Sequence, residues 1–63
     1  MSIGEKIRKA REEQNMKQER LAAAVNVSVP MICRIEKDEK VPSLSLLISI
    51  ARVLECPAGQ LLD

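Results

Sequence analysis

Residues 17–36 read KQERLAAAVNVSVPMICRIE, and the parsing of this stretch decides the fold. Leu21, Ala22 and Val25 recur at i, i+1 and i+4, and Ile32, Ile35 and Glu36 at i, i+3 and i+4, so the spacing predicts two short helices, each with one inward face. The join between them is informative. Asn26 stands where the first helix has to stop, and after glycine Asn is the residue best able to take the left-handed conformation that ends a helix. Ser28 caps the second helix. Its hydroxyl can accept a free first-turn amide, and Pro30 is tolerated because early helical positions have no intrahelical partner for their N–H. Small Ala22 and Ala23 let the two helices approach closely.

Working outward, the spacing predicts a first helix from the cap Ser2 to about Gln14, with Ile3, Ile7 and Ala10 on its inner face and Arg11 on the same stripe. Glu36 shares the inner stripe of Ile32 and Ile35, so a buried or half-buried ion pair between Arg11 and Glu36 is expected. Lys6, Arg8, Lys9, Glu12 and Glu13 form a solvated face, with opposite charges at i, i+4. Met16 closes the loop at Gln14 and Asn15 and plugs the start of the next helix. Beyond the quoted stretch, KDEKVP at 37–42 ends in Val-Pro, which favours extended backbone and stops the helix before it.

Ser43 caps a fourth helix, Leu44 to about Leu54, in which Ser45, Ser49 and Arg52 make one narrow polar stripe on an otherwise apolar surface. Either this helix is central, with neighbours on several sides, or part of it meets a second subunit. Leu46 and Val53 are the expected surplus surface. Cys56-Pro57-Ala58 opens a last short helix whose Leu61 and Leu62 return to the core or to a partner.

The pieces IGEKIRKAREE, MKQERLAAAVNVSVPMICRIEKDEKVPSLSLLISIARVL and AGQLL together resemble the phage-repressor or Cro-like helix-turn-helix proteins, also called the xenobiotic-response-element family. The resemblance spans nearly the whole chain. It implies an all-α, compact five-helix, lambda-repressor-like domain over residues 1–63, with the motif at about 17–37 formed by helices 2 and 3. It also implies the Arg11–Glu36 pairing. Gln18 matches the position that opens the motif's first helix and commonly meets a phosphate or braces a base-reading side chain. Lys17 stands where the family usually places a Ser or Thr cap, and Asn26 where it usually has Gly. Val29, Met31 and Cys33 are less polar than such a reading helix normally carries.

In a helix-turn-helix the second helix lies in the DNA major groove with its N-terminal side chains on base edges. With Ile32 and Ile35 facing inward, Val29, Pro30, Cys33, Arg34 and Lys37 are left outside. Arg34 is the foremost base-reading candidate, since a guanidinium reaches guanine O6 and N7 with two parallel hydrogen bonds. Val29 and Pro30 can touch a thymine methyl, and Cys33 completes the set. Lys17, Gln18, Met31, Lys37 and Lys40 are candidates for phosphate contact or bracing, which orients a protein on DNA without specifying sequence.

Composition limits the alternatives. With 63 residues there is room for one domain, and without Phe, Tyr or Trp its core must be aliphatic. Net charge is only +1, although residues 1–40 carry nine Lys or Arg against seven Asp or Glu. With two Cys and no His, neither a metal site nor any other cofactor is expected, and Cys33 and Cys56 read as small apolar residues of a reducing cytoplasm. No signal peptide or membrane span is expected, and no nucleophile stands beside a base to support an enzyme.

The expected protein is a homodimeric transcriptional regulator, most simply a repressor at a palindromic operator, in the bacterial or phage cytoplasm at the nucleoid. Its partners would be double-stranded DNA and itself, the dimer candidates being Leu46, Val53, Leu61 and Leu62. The competing reading is a small helical protein-interaction module on the same fold. Apolar Val29, Met31 and Cys33 favour that rival.

Overall fold

Three serines start helices in the computed structural model, which describes residues 1–62. Ser2 caps α1 (Ile3–Glu13) in a reciprocal box, its hydroxyl accepting the Glu5 amide while the Glu5 carboxylate accepts the Ser2 amide. Those bonds hold the Glu5 carboxyl below its ordinary pKa. Ser28 caps α3 (Val29–Glu36) through the Met31 amide at 3.2 Å, and Ser43 caps α4 (Leu44–Val53) through the Leu46 amide at 3.2 Å. By contrast α2 (Gln18–Ala24) begins at Lys17, which offers no side-chain cap. The last helix, α5 (Ala58–Leu62), starts one residue after Pro57, whose carbonyl accepts the Gln60 amide.

The helix ends share one device. Asn15, Asn26, Asp38 and Glu55 all take left-handed φ, at 54°, 60°, 62° and 57°. Each is followed by the paired bonds that close a helix on itself: Met16 N–H to Arg11 O, Val27 to Ala22, Glu39 to Arg34 and Cys56 to Ala51, at 2.9–3.1 Å. Glycine usually fills this position, yet among the described residues no glycine has positive φ. The Asn26 corner matches the sequence expectation. The other three do not announce themselves in the sequence.

The core is aliphatic. Ile7, Leu21, Ile32, Ile35, Leu47, Ile50, Leu54 and Leu61 are buried with Ala22 and Ala51. Here α1 packs on α3 and α5, α2 on α3 and α4, and α4 on α5. Ala22 is buried in the core, whereas Ala23 is exposed and does not serve the close approach expected of it.

Helix α4 lies on the core through Leu47, Ile50 and Ala51. Leu46 and Val53 are half-buried against the core and keep part of their surface outside, whereas Leu61 is fully within the core and returns to the subunit's own interior. Of the expected dimer residues only Leu62 is exposed. On and beside α4 the exposed large apolar side chains are Val41, Leu44 and Ile48, which are 79%, 66% and 41% exposed. Periodicity could not choose between the flanks of a helix apolar on nearly every side.

Gly4 explains how closely α1 can approach α3. A Cβ there would stand 2.4 Å from the Ile35 carbonyl oxygen and 2.6 Å from that of Glu36, both backbone atoms that cannot rotate away. Gly4→Ala is therefore expected to destabilise the domain by at least about 2 kcal/mol and lower Tm by roughly 10 °C. Gly59→Ala is the matched control. A Cβ at Gly59 meets nothing within 4 Å, so that variant should gain up to about 1 kcal/mol in helix propensity. Thermal melts of both variants check the contrast.

Candidate nucleic-acid interface

Helix α3 turns Ile32, Ile35 and Glu36 inward and leaves Val29, Pro30, Arg34 and, at its C-cap, Lys37 exposed. At 100° per residue Pro30, Arg34 and Lys37 share the centre of the outer face. Cys33 and Met31 are half-buried at its two edges, and Met31 packs against the core. The outer face thus carries two cations and two apolar residues without hydrogen-bonding side chains.

Beneath this face lies a buried polar chain. Arg11 Nε donates to Glu36 Oε2 at 2.7 Å and Nη2 to Oε1 at 3.0 Å, a two-armed pair whose residues are 8% and 5% exposed. Arg11 Nη1 donates to the Met16 carbonyl at 2.6 Å, which ties down the loop before α2. Pairing with Glu36 raises the Arg11 pKa above its ordinary value. Among the described residues no buried side-chain nitrogen or oxygen lacks a partner.

Gln18 extends the chain to the surface, its Nε2 donating to Glu36 Oε1 at 3.1 Å. A carboxylate only accepts, so the amide nitrogen must be the group turned inward. The Gln18 carbonyl oxygen and one N–H remain for an outside neighbour. The opening of α2 and the face of α3 are therefore held together by one carboxylate.

Lys37 and Lys40 flank the turn that follows α3, and both are exposed, as is Lys17 at the start of α2. Sequence reasoning passed over Asp38 in this turn. Its Oδ1 accepts the Gly4 amide at 3.0 Å and its Oδ2 accepts the Ser2 hydroxyl. It passed over Gln14 as well, whose Nε2 donates to the Leu54 carbonyl and so ties the end of α1 to the end of α4. Neither contact leaves a periodic mark, because each joins residues more than 30 positions apart. Burial pushes the Cys56 thiol pKa up. Among the described residues no cluster of His, Cys, Asp and Glu could hold a metal, and no helix is long and apolar enough to cross a membrane.

Residues 7–61 match the family model described as Helix-turn-helix, and the chain belongs to the Cro/C1-type helix-turn-helix family. Solved structures agree in architecture. The P22 c2 repressor in complex with a synthetic operator superposes with a TM-score of 0.91 at 30% identity, covering 97% of this chain and 92% of that one. The DNA-binding domain of the same repressor in solution gives 0.94 at 31%, covering 98% and 82%. SinR, the master regulator for biofilm formation, in complex with DNA gives 0.90 at 29%, covering 97% and 98%. These relatives are regulators, not enzymes. No curated protein sequence matches significantly.

The buried pair is open to a direct test. Arg11→Met or Glu36→Leu alone should cost about 3–5 kcal/mol, since each strands a buried charge. The double variant should be more stable than either single one. Denaturant titrations of the four proteins measure the coupling, and additive losses would show that the two charges do not interact.

Proposed function

We propose that this domain binds specific duplex DNA as a homodimer and represses transcription at a palindromic operator, as a bacterial or phage regulator acting in the cytoplasm. The observation that carries the reading is the exposed α3 face of Val29, Pro30, Arg34 and Lys37, set on a fold shared with two proteins solved in complex with DNA. In this reading α3 enters the major groove and α2 crosses the backbone. Arg34 addresses guanine through O6 and N7, while Val29 and Pro30 meet a thymine methyl, with Cys33 at the edge of the same contact. Lys17, Lys37 and Lys40 lie toward phosphates, and Gln18 braces the surface from its bond to Glu36. Because net charge is only +1, attraction to DNA comes from the placement of these cations, not from the charge of the whole molecule.

Selection of binding sites from a random duplex pool tests this reading. The wild type is expected to enrich a palindrome, and Arg34→Ala to lose preference at one guanine in each half-site, a discrimination of roughly 1–3 kcal/mol. If the wild type enriches no duplex, the fold serves as a protein-interaction module instead.

Homodimerisation rests on two observations. Val41, Leu44 and Ile48 are large apolar side chains left in solvent on and beside α4. The Cα envelope measures 24 × 23 × 19 Å. Half-sites about 34–36 Å apart would set two such bodies side by side with little more than side chains between them. The subunit contact is accordingly small and assembles chiefly on DNA. Leu44→Glu, at an exposed position, should leave the fold and half-site binding intact while abolishing cooperative occupation of the full palindrome. Gel-shift titrations on full and half sites measure this, and unchanged cooperativity would rule Leu44 out of the contact.

A further inference from the structure

We infer that Asp38 is a positioning residue for the DNA-binding face, its carboxylate tying the first turn of α1 to the end of α3 and so fixing Lys37 and Lys40; this rests on the DNA-binding reading above. Closing α3 needs only a left-handed residue after Lys37, and glycine would supply that conformation with less strain. Asp38 takes φ 62° and closes the helix in the usual way, its amide bonded to the Ile35 carbonyl at 3.1 Å and the Glu39 amide to that of Arg34 at 2.9 Å. Its side chain does something glycine could not. Oδ1 accepts the Gly4 amide, one of the α1 amides without an intrahelical partner, and Oδ2 accepts the hydroxyl of the α1 cap, Ser2. A carboxylate at that end also meets the positive pole of the helix.

The geometry around this latch leaves it little freedom. Gly4 is pressed against the last carbonyls of α3, with no room for a Cβ. After Lys40 the chain folds back, and Ile3, Ile35, Asp38, Lys40, Val41 and Pro42 line a cleft of about 140 Å³. Lys37 and Lys40 therefore stand on either side of a residue anchored to another helix. With the side chain removed, the turn still ends α3 but is no longer held to α1, and the two lysines lose their fixed register relative to Arg34.

The test uses Asp38→Gly and Asp38→Asn in the full chain, with the duplex selected by the wild type. Asp38→Gly keeps the left-handed turn and loses the latch. Exchange of the Gly4 amide should speed up at least about tenfold. Affinity for the duplex should fall roughly tenfold at moderate salt, with a salt dependence shallower by about one phosphate contact. Asp38→Asn, which tolerates the same φ and keeps an acceptor for the Gly4 amide but not for the Ser2 hydroxyl, should restore slow Gly4 exchange and recover affinity and slope in part. A merely structural role would lower stability without altering the salt slope. Asp38→Gly binding with wild-type affinity and slope despite an exposed Gly4 amide would overturn the inference alone, whereas a wild type that selects no duplex would overturn the DNA-binding reading and this inference with it. Should Asp38→Gly fail to fold, Ser2→Gly removes the partner of Oδ2 while leaving a tolerable helix cap. A shallower slope in that variant supports the latch, and an unchanged slope refutes it.

Discussion

Arg11 and Glu36 meet where α1, α2 and α3 converge, and each of those helices, or the loop leading into it, is bonded to the pair. An aliphatic pair of similar volume would be at least as stable, because removing two charges from water costs several kcal/mol that their attraction only partly returns. What the aliphatic pair lacks is direction. A guanidinium with three of its donors engaged admits one orientation of Glu36, and Glu36 in turn admits one orientation of Gln18. In a core of Ile, Leu and Ala, which can slide over one another at little cost, this constraint selects one arrangement of the three helices.

The remaining architecture distributes the same task among backbone groups. Serine hydroxyls satisfy the starts of α1, α3 and α4, left-handed residues satisfy the ends of α1 to α4, and Gln14 and Asp38 carry backbone-directed bonds between distant helices. Such economy suits a domain of 63 residues, whose buried apolar surface is too small to tolerate unpaired polar groups. It also couples surface to interior. The exposed face of α3 rests on Glu36, and the turn beyond it rests on the start of α1.

Much of this was legible in the sequence. Helical spacing and cap residues located α1, α3 and α4 to within about a residue, and the stripes of Ile7 and Arg11 and of Ile32, Ile35 and Glu36 pointed to the Arg11–Glu36 pair. What failed had a common cause. Leu61 could return to the core or meet a partner, and only its packing in α5 against α4 and α1 decides for the core, while on α4, apolar around most of its circumference, the positions of α2 and α5 decide which flank is covered. Asp38 was invisible for a related reason, since a side chain reaching a helix 34 residues earlier obeys no local period. The outward residues of α3 follow from its period alone, but their chemistry toward DNA depends on a surface outside the chain.

The two glycines and the four left-handed corners invert the usual map of mutational tolerance. Glycine is ordinarily guarded at helix ends and expendable within helices. Here the corners at Asn15, Asn26 and Glu55 are held by Asn or Glu, and glycine could replace them without disturbing the turns, whereas Asp38 is also tied to α1 through its side chain. Gly4, inside a helix, admits no replacement without moving α1. Substitution by glycine is therefore tolerated at the corners of Asn15, Asn26 and Glu55, while the glycine near the start of α1 admits no side chain.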